Sequence, residues 1–283
     1  MLISSFLANR SIIYENIISK SRTKDRLMRI LISNDDGVYA PGINTLYKTL
    51  AKEHEVFVVA PLEERSTTGH TLSLDNPLRV TKISDDEDIF GCSGFPADCT
   101  LMGIAHLMQE RPDIVISGIN RGANLGQDIY YSGTMAAARE AVFRNIPAIA
   151  VSTVCDFKKN PEHPIHYSSA AHFILNLLRK DILKLIPQDH VLNVNVPDVA
   201  EEDIKGTKLT ELGMRWYSEE IAPRKDFRGR EYFWIGGVYK GHCATEGSDC
   251  VAVDNNYVSV SLLNLLGRPA EKLAQWNELI KEL

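Results

Sequence analysis

The sequence has no G-x-G-x-x-G fingerprint and no Walker A loop, so dinucleotide and P-loop chemistry have no direct support in it. No uninterrupted apolar run is long enough to span a bilayer. An excess of positive charge is missing too. The formal balance is -6 at pH 7, which argues against a nonspecific binder of nucleic-acid duplexes. The five cysteines (Cys92, Cys99, Cys155, Cys243 and Cys250) form no C-x-x-C pair. An odd number with no secretory address fits reduced thiols in the cytoplasm. Cys92/Cys99 and Cys243/Cys250 each enclose six residues, a spacing wrong for the usual zinc knuckles.

What is there is ordinary in bulk. The 283 residues are 44% apolar and 24% charged, as in a globular protein of one large domain or a domain with an appendage. Residues 1–27 are weakly patterned, broken by charges such as Arg10, Glu15, Lys20 and Arg26. They lack the compact apolar core of a signal peptide, and we expect a dispensable extension. From Met28 the pattern alternates. Strands are expected at Arg29–Ser33, Glu55–Ala60, Asp113–Ser117, Pro147–Ser152 and Val191–Val196, with short ones at Leu78–Thr81 and Ile89–Cys92. Helices are expected at Gly42–Glu53, Pro96–Gln109, Ser132–Asn145 and Tyr167–Leu185. Strands separated by such helices predict an α/β fold, a doubly wound, Rossmann-like and mostly parallel sheet over residues 28–197. Residues 198–283 read as a smaller, β-rich appendage. Its expected strands are Lys205–Leu212, Tyr232–Gly236 and Tyr257–Leu262, with a closing helix at Arg268–Leu283.

The densest chemistry follows the first strand, at Asn34-Asp-Asp-Gly37. Successive strand side chains point to opposite faces, so Asp35 and Asp36 converge only if the chain turns there. Gly37 and Pro41-Gly42 permit that turn. Two hard oxygen ligands suit a magnesium- or manganese-like cation, although polar residues also end many ordinary strands. In an open parallel sheet, ligands bind beyond the carboxyl ends of the strands. The loops Asn34–Gly37, Glu63–His70 and Ser117–Gly126 all leave that edge. Ser66 and Asn120 add a hydroxyl and an amide there, each with a plainer reading as a loop hydroxyl and a turn brace. His70 offers a proton donor or base, or is a solvated loop histidine. Ser132 or Thr134 would cap a helix whose first amides lack partners. With Gly133 between them, that N-terminus can receive a phosphate, or is a plain cap ahead of packing alanines.

Together these stretches resemble the SurE survival-protein family of nucleoside-monophosphate phosphatases. The blocks are Asn34-Asp-Asp-Gly-Val-Tyr-Ala-Pro-Gly42, Arg65-Ser66, Phe95-Pro-Ala-Asp-Cys99, Ser117–Gly126, Tyr131-Ser-Gly-Thr134, Arg228–Gly237 and Tyr257-Val-Ser-Val. The resemblance implies one divalent metal ion per subunit, Mg2+ or Mn2+, held by Asp35, Asp36, Ser66 and Asn120. It places Ser132, Gly133 and Thr134 on the phosphate, with Asp35, Asp36 and Asn120 as the catalytic set. It further implies a homodimer or homotetramer that exchanges C-terminal arms, while the cytoplasmic location and the lack of a membrane partner are expected from the thiols and the short apolar runs. Phe95, Thr67-Thr-Gly-His70 and Phe227 depart from the family pattern without removing a ligand, and they bear on substrate preference and the shape of the site entrance. The expected reaction is hydrolysis of nucleoside 5′- and 3′-monophosphates, and of short polyphosphate, by metal-activated water. Attack by Asp35 through an aspartyl-phosphate is the alternative route. A nucleotide-binding regulator and a nucleotide-sugar transferase are the rival classes.

Overall fold

The computed structural model describes residues 27–155 and 164–267. The N-terminal extension and the closing helix expected at Arg268–Leu283 therefore lie outside the described residues, Leu27 apart. In chain order the elements are β1 (Arg29–Ser33), α1 (Pro41–Leu50), β2 (Glu55–Pro61), β3 (Val80–Lys82), β4 (Ile89–Cys92) and α2 (Pro96–Met102). There follow β5 (Ile114–Arg121), α3 (Gly133–Phe143), β6 (Ala148–Val154), α4 (Tyr167–Leu178) and β7 (His190–Pro197). The last third contributes β8 (Thr207–Leu209), β9 (Arg215–Tyr217), β10 (Ile221–Lys225), β11 (Glu231–Ile235), β12 (Tyr239–His242), α5 (Asp249–Asp254) and β13 (Val258–Asn264).

One nine-stranded sheet runs β3-β4-β2-β1-β5-β6-β7-β13-β8. Its centre is parallel, with β2, β1, β5, β6 and β7 in register side by side. The β3–β4 pair at one edge and the β7–β13 pair near the other are antiparallel, and the outermost β13–β8 pair is parallel. This is the doubly wound, mostly parallel architecture. β1 shows why its sequence is apolar throughout: Ile30 and Ile32 pack into one face of the sheet and Leu31 into the other. A strand covered on both sides loses the polar-apolar alternation. Each of these fully buried side chains contributes about 2–3 kcal/mol. Ile43, Leu46 and Leu50 of α1 and Ile174 and Leu178 of α4 cover the first face. Cys99 of α2 and Met135, Ala138 and Ala141 of α3 cover the second.

Among the element boundaries that differ from expectation, three have a clear local reason. The helix expected to Gln109 ends at Met102 and passes into a wide turn at Gly103–Leu107. Gly103 presses onto β1 there; a Cβ would sit 2.7 Å from the Leu31 side chain. The helix expected to Leu185 stops at Leu178, because Asp181 takes a left-handed φ of 57°. Beyond it, Ile182 and Leu183 still pack on the core, which is why the apolar pattern ran on. Strand β5 continues to Arg121 through a register shift after Ser117. Gly118 has φ +137°, and any Cβ would meet the Val151 carbonyl at 2.2 Å.

Within residues 198–283, β8 and β13 join the main sheet, while β10–β11 and β9–β12 form two small antiparallel pairs. Among the described residues no helix is long and apolar enough to cross a membrane.

Helix α1 approaches the end of β5 so closely that a Cβ on Gly42 would lie 2.1 Å from the Ile119 carbonyl oxygen. Backbone atoms cannot swing aside as a flexible side chain does. Gly42→Ala should therefore cost about 1–3 kcal/mol, read as a lowered urea midpoint with an unchanged slope.

Candidate active site

The sheet order reverses at β1. From β1 the chain moves one way to β2 and β4, and the other way to β5, β6 and β7. The crevice between the carboxyl ends of β1 and β5 is thus the topological switch point, where ligands bind in this architecture.

The turn after β1 is built by Asn34. Its Nδ2 donates to the Gly37 carbonyl at 3.0 Å, and its Oδ1 accepts from the Gly37 amide at 3.2 Å. Gly37 takes φ +102°, a conformation open to glycine. The two carboxylates that follow Asn34 are thereby released from strand alternation and find different partners. Asp35, only 5% exposed, meets the first turn of α3. The Thr134 hydroxyl donates to its Oδ1 at 2.5 Å. Gly133 has no side chain where one would lie 2.7 Å from Asp35 Cβ. Asp36 turns to the end of β5, where its Oδ2 accepts from the Arg121 amide at 2.9 Å.

Asn120, next to Arg121, does brace its turn: its Nδ2 donates to the Gly122 carbonyl at 2.9 Å. Its Oδ1 has no hydrogen-bond partner among the described residues and remains an available oxygen. Ser66 is exposed and donates to Glu64 at 2.7 Å. Its neighbour Arg65 ties the loop to the site, the amide donating to the Asp35 carbonyl at 2.7 Å. Ser132, not Thr134, caps α3, its Oγ accepting from the Met135 amide at 3.0 Å. His70 is engaged elsewhere, 3.1 Å from Glu140. Asp35 is thus joined directly to Gly133 and Thr134, and Asp36 to the end of β5, while Ser66 and Asn120 are each one residue from a backbone amide bonded to that pair.

Beside Asp36 opens a cavity of about 490 Å³ lined by Pro41, Glu64, Arg121, Ile165 and Tyr167, within the usual range for a small-molecule site. Glu64, Arg121 and Tyr167 were missed from the sequence. Arg121 adjoins the Asn120 motif and could have been flagged; Tyr167 merely opens α4 and carries no local signal.

Electrostatics favour a cation at this turn. Burial, with help from the neighbouring Asp36, pushes the Asp35 carboxyl up to about 6 despite the Thr134 hydrogen bond. Burial also raises Asp36, against the opposing Arg121 amide. Among the described residues no three His, Cys, Asp or Glu side chains gather as a metal site. The donors available are two carboxylates, a hydroxyl and an amide, all hard oxygens. That donor set fits magnesium or manganese.

A raised folded-state value means that ionising Asp35 opposes folding. The penalty is absent below about 4, grows between pH 4 and 6, and is complete above. From 3.8 to about 6 it amounts to roughly 3 kcal/mol. Asp35→Asn should therefore raise the melting temperature of metal-free protein by several degrees at pH 8 and leave it unchanged near pH 4. A scan of melting temperature against pH checks both arms.

Comparison with known proteins identifies the family. The family model described as "Survival protein SurE" matches residues 30–219. The 5′-nucleotidase SurE of Geotalea daltonii is 47% identical over 238 residues, covering 84% of this chain and 93% of that one. Its namesake in Thermosipho melanesiensis is 42% identical over 253 residues, covering 89% and 97%. The crystal structure of the SurE protein from Aquifex aeolicus matches with a TM-score of 0.75 and 37% identity, over 89% of this chain and 99% of that one. The chain belongs to the SurE family.

Proposed function

We propose that this protein is a divalent-metal-dependent nucleotidase, hydrolysing nucleoside 5′-monophosphates to nucleoside and phosphate, with 3′-monophosphates and short polyphosphate as further substrates. One observation carries the reading: a buried carboxylate of a paired-aspartate turn lies against the start of an eleven-residue helix at the switch point of the sheet. The names of the relatives, 5′-nucleotidase SurE, support the substrate class. Family membership speaks against a nucleotide-sugar transferase.

Asp35, Asp36, Ser66 and Asn120 would hold one magnesium or manganese ion. The chemistry such an ion supplies is neutralisation of phosphoryl charge and a lowered pKa of water. The remaining work belongs to the chain. Ser132, Gly133 and Thr134 present the start of α3 to the phosphoryl oxygens, where amides without intrahelical partners hold growing negative charge. Thr134 fixes the Asp35 carboxylate through its hydroxyl, so that Asp35 orients the attacking water and takes its proton. The cavity beside Asp36, with Tyr167 and Arg121 among its lining residues, has room for a nucleoside.

Residues that only support metal ligands typically lose 10–100-fold when changed, so the ligands themselves should lose more. Asp35→Asn and Asp36→Asn should each lower phosphate release from AMP or GMP by at least about 100-fold with the fold intact. Metal-stripped parent protein should be inactive until magnesium or manganese is returned. Nucleotide binding without phosphate release under any divalent ion would make the protein a binding regulator instead.

We also propose that it assembles as a homodimer or homotetramer through its C-terminal region. The β10–β11 hairpin leaves Tyr232, Phe233, Trp234 and Ile235 exposed, with Phe227 at its turn 90% exposed. An apolar patch of this kind marks an interaction surface. The double variant Phe233→Ser, Trp234→Ser should shift light-scattering mass from a multiple of 31.7 kDa to the single-chain value.

A further inference from the structure

Phosphate hydrolysis leaves two features unexplained: the loop histidine His70 and the buried carboxylate of Glu140. The structure joins them. His70 Nε2 lies 3.1 Å from Glu140 Oε2, and the imidazole stacks on Phe143 with ring centroids 5.6 Å apart and planes 16° from parallel. The other Glu140 oxygen accepts from Arg144 Nε at 2.8 Å. Glu140 is 3% exposed, a depth at which a carboxylate needs such partners. Burial pushes its carboxyl up, and the His70 and Arg144 contacts more than offset this, holding it below the usual value. An ionised carboxylate only accepts, so His70 donates.

The loop Leu62–Asp75 is pinned in sequence. The Arg65 amide donates to the Asp35 carbonyl at 2.7 Å, the Gly69 amide donates to the Tyr131 carbonyl at 3.0 Å, and His70 reaches Glu140 next. Ser66 stands between the first two pins. Further on, the Ser73 amide and hydroxyl donate to Asp98 at 2.9 and 2.7 Å. Helix α3 carries both ends of the relation: Thr134 sits on Asp35, and Glu140 follows six positions later on the same rigid element.

We infer that His70 and Glu140 are positioning residues, whose pair fixes the Leu62–Asp75 loop on α3 and thereby sets Ser66 against Asp35. The role of Ser66 rests on the metal-dependent reading above; the clamp does not. His70 is therefore neither a proton shuttle nor a solvated loop side chain.

The test combines two measurements on full-length protein. In metal-free protein, His70→Ala and Glu140→Ala should each speed amide hydrogen exchange at Arg65 and Gly69 by about 10-fold or more, leaving the amides of the second half of α3 unchanged. By calorimetry, each should weaken manganese binding by about 10–100-fold. The double variant should lose no more than the worse single change, as for members of one coupled unit. His70→Gln, which keeps a donor, should recover most of both readouts. His70 is only partly buried, so His70→Ala carries the test alone where Glu140→Ala does not fold. Unchanged loop exchange overturns the clamp. Faster exchange with unchanged manganese affinity overturns its role in setting Ser66. Faster exchange in variants of a parent that binds no manganese supports the clamp and overturns the metal reading instead.

Discussion

The contact between Asp35 and the first turn of α3 is the constraint on which the rest turns. A carboxylate 5% exposed beside a second carboxylate is an unfavourable arrangement for a folded chain. It persists because three independent features converge on it. Gly133 removes the side chain that would otherwise strike Asp35, the Thr134 hydroxyl donates to it, and the α3 terminus offers positive dipole charge. None of these suffices to return the carboxyl to its ordinary range, since it stays near 6. The residual cost is the kind a protein retains where function requires it, and a bound cation would relieve it.

The surrounding backbone is arranged to bring distant segments to that point. Arg121 donates to Asp36 across 85 positions, and Thr134 to Asp35 across 99. Such reach follows from the topology: β1 and β5 are neighbours in the sheet, so the loops leaving their carboxyl ends meet however much chain intervenes. Glycine makes the approach possible at Gly118, which fits under the Val151 carbonyl only without a Cβ. Asn34 makes it specific, closing the turn with two hydrogen bonds that an alanine could not supply.

Much of this was legible beforehand, and the boundary of legibility has physical causes. β1 and the aspartate turn stood out because a strand buried on both faces is apolar throughout and stops abruptly in polar residues. The helix starts at Pro96 and Ser132 carry explicit signals in proline and a capping hydroxyl. Helix ends were less visible: Ile182 and Leu183 keep the apolar spacing while Asp181 breaks the helix. The cavity walls were hidden for another reason. Glu64, Arg121, Ile165 and Tyr167 come from three separate stretches, and only the fold relates them. His70 was visible as a residue but not as a clamp, because its partner lies 70 positions away on another element.

The last third of the chain serves the site through one half and leaves the other half projecting. Asp249 is fully buried and accepts from the amides of Gly126, Gly213 and Cys250. It thus fastens the glycine-rich loop after β5 to the start of α5. Gln127 works beside it, exchanging two hydrogen bonds with the Arg215 backbone at 2.7 and 2.9 Å, as a neighbouring strand would. These ties hold the loop that follows Asn120 and Arg121 at the end of β5, so removing the region beyond β7 would free that loop. Among the described residues the β10–β11 hairpin has no comparable anchor; each residue of β11 is exposed. Polar groups knit one half inward and aromatic side chains face outward from the other, so the same region both ties down the loop after β5 and exposes apolar surface.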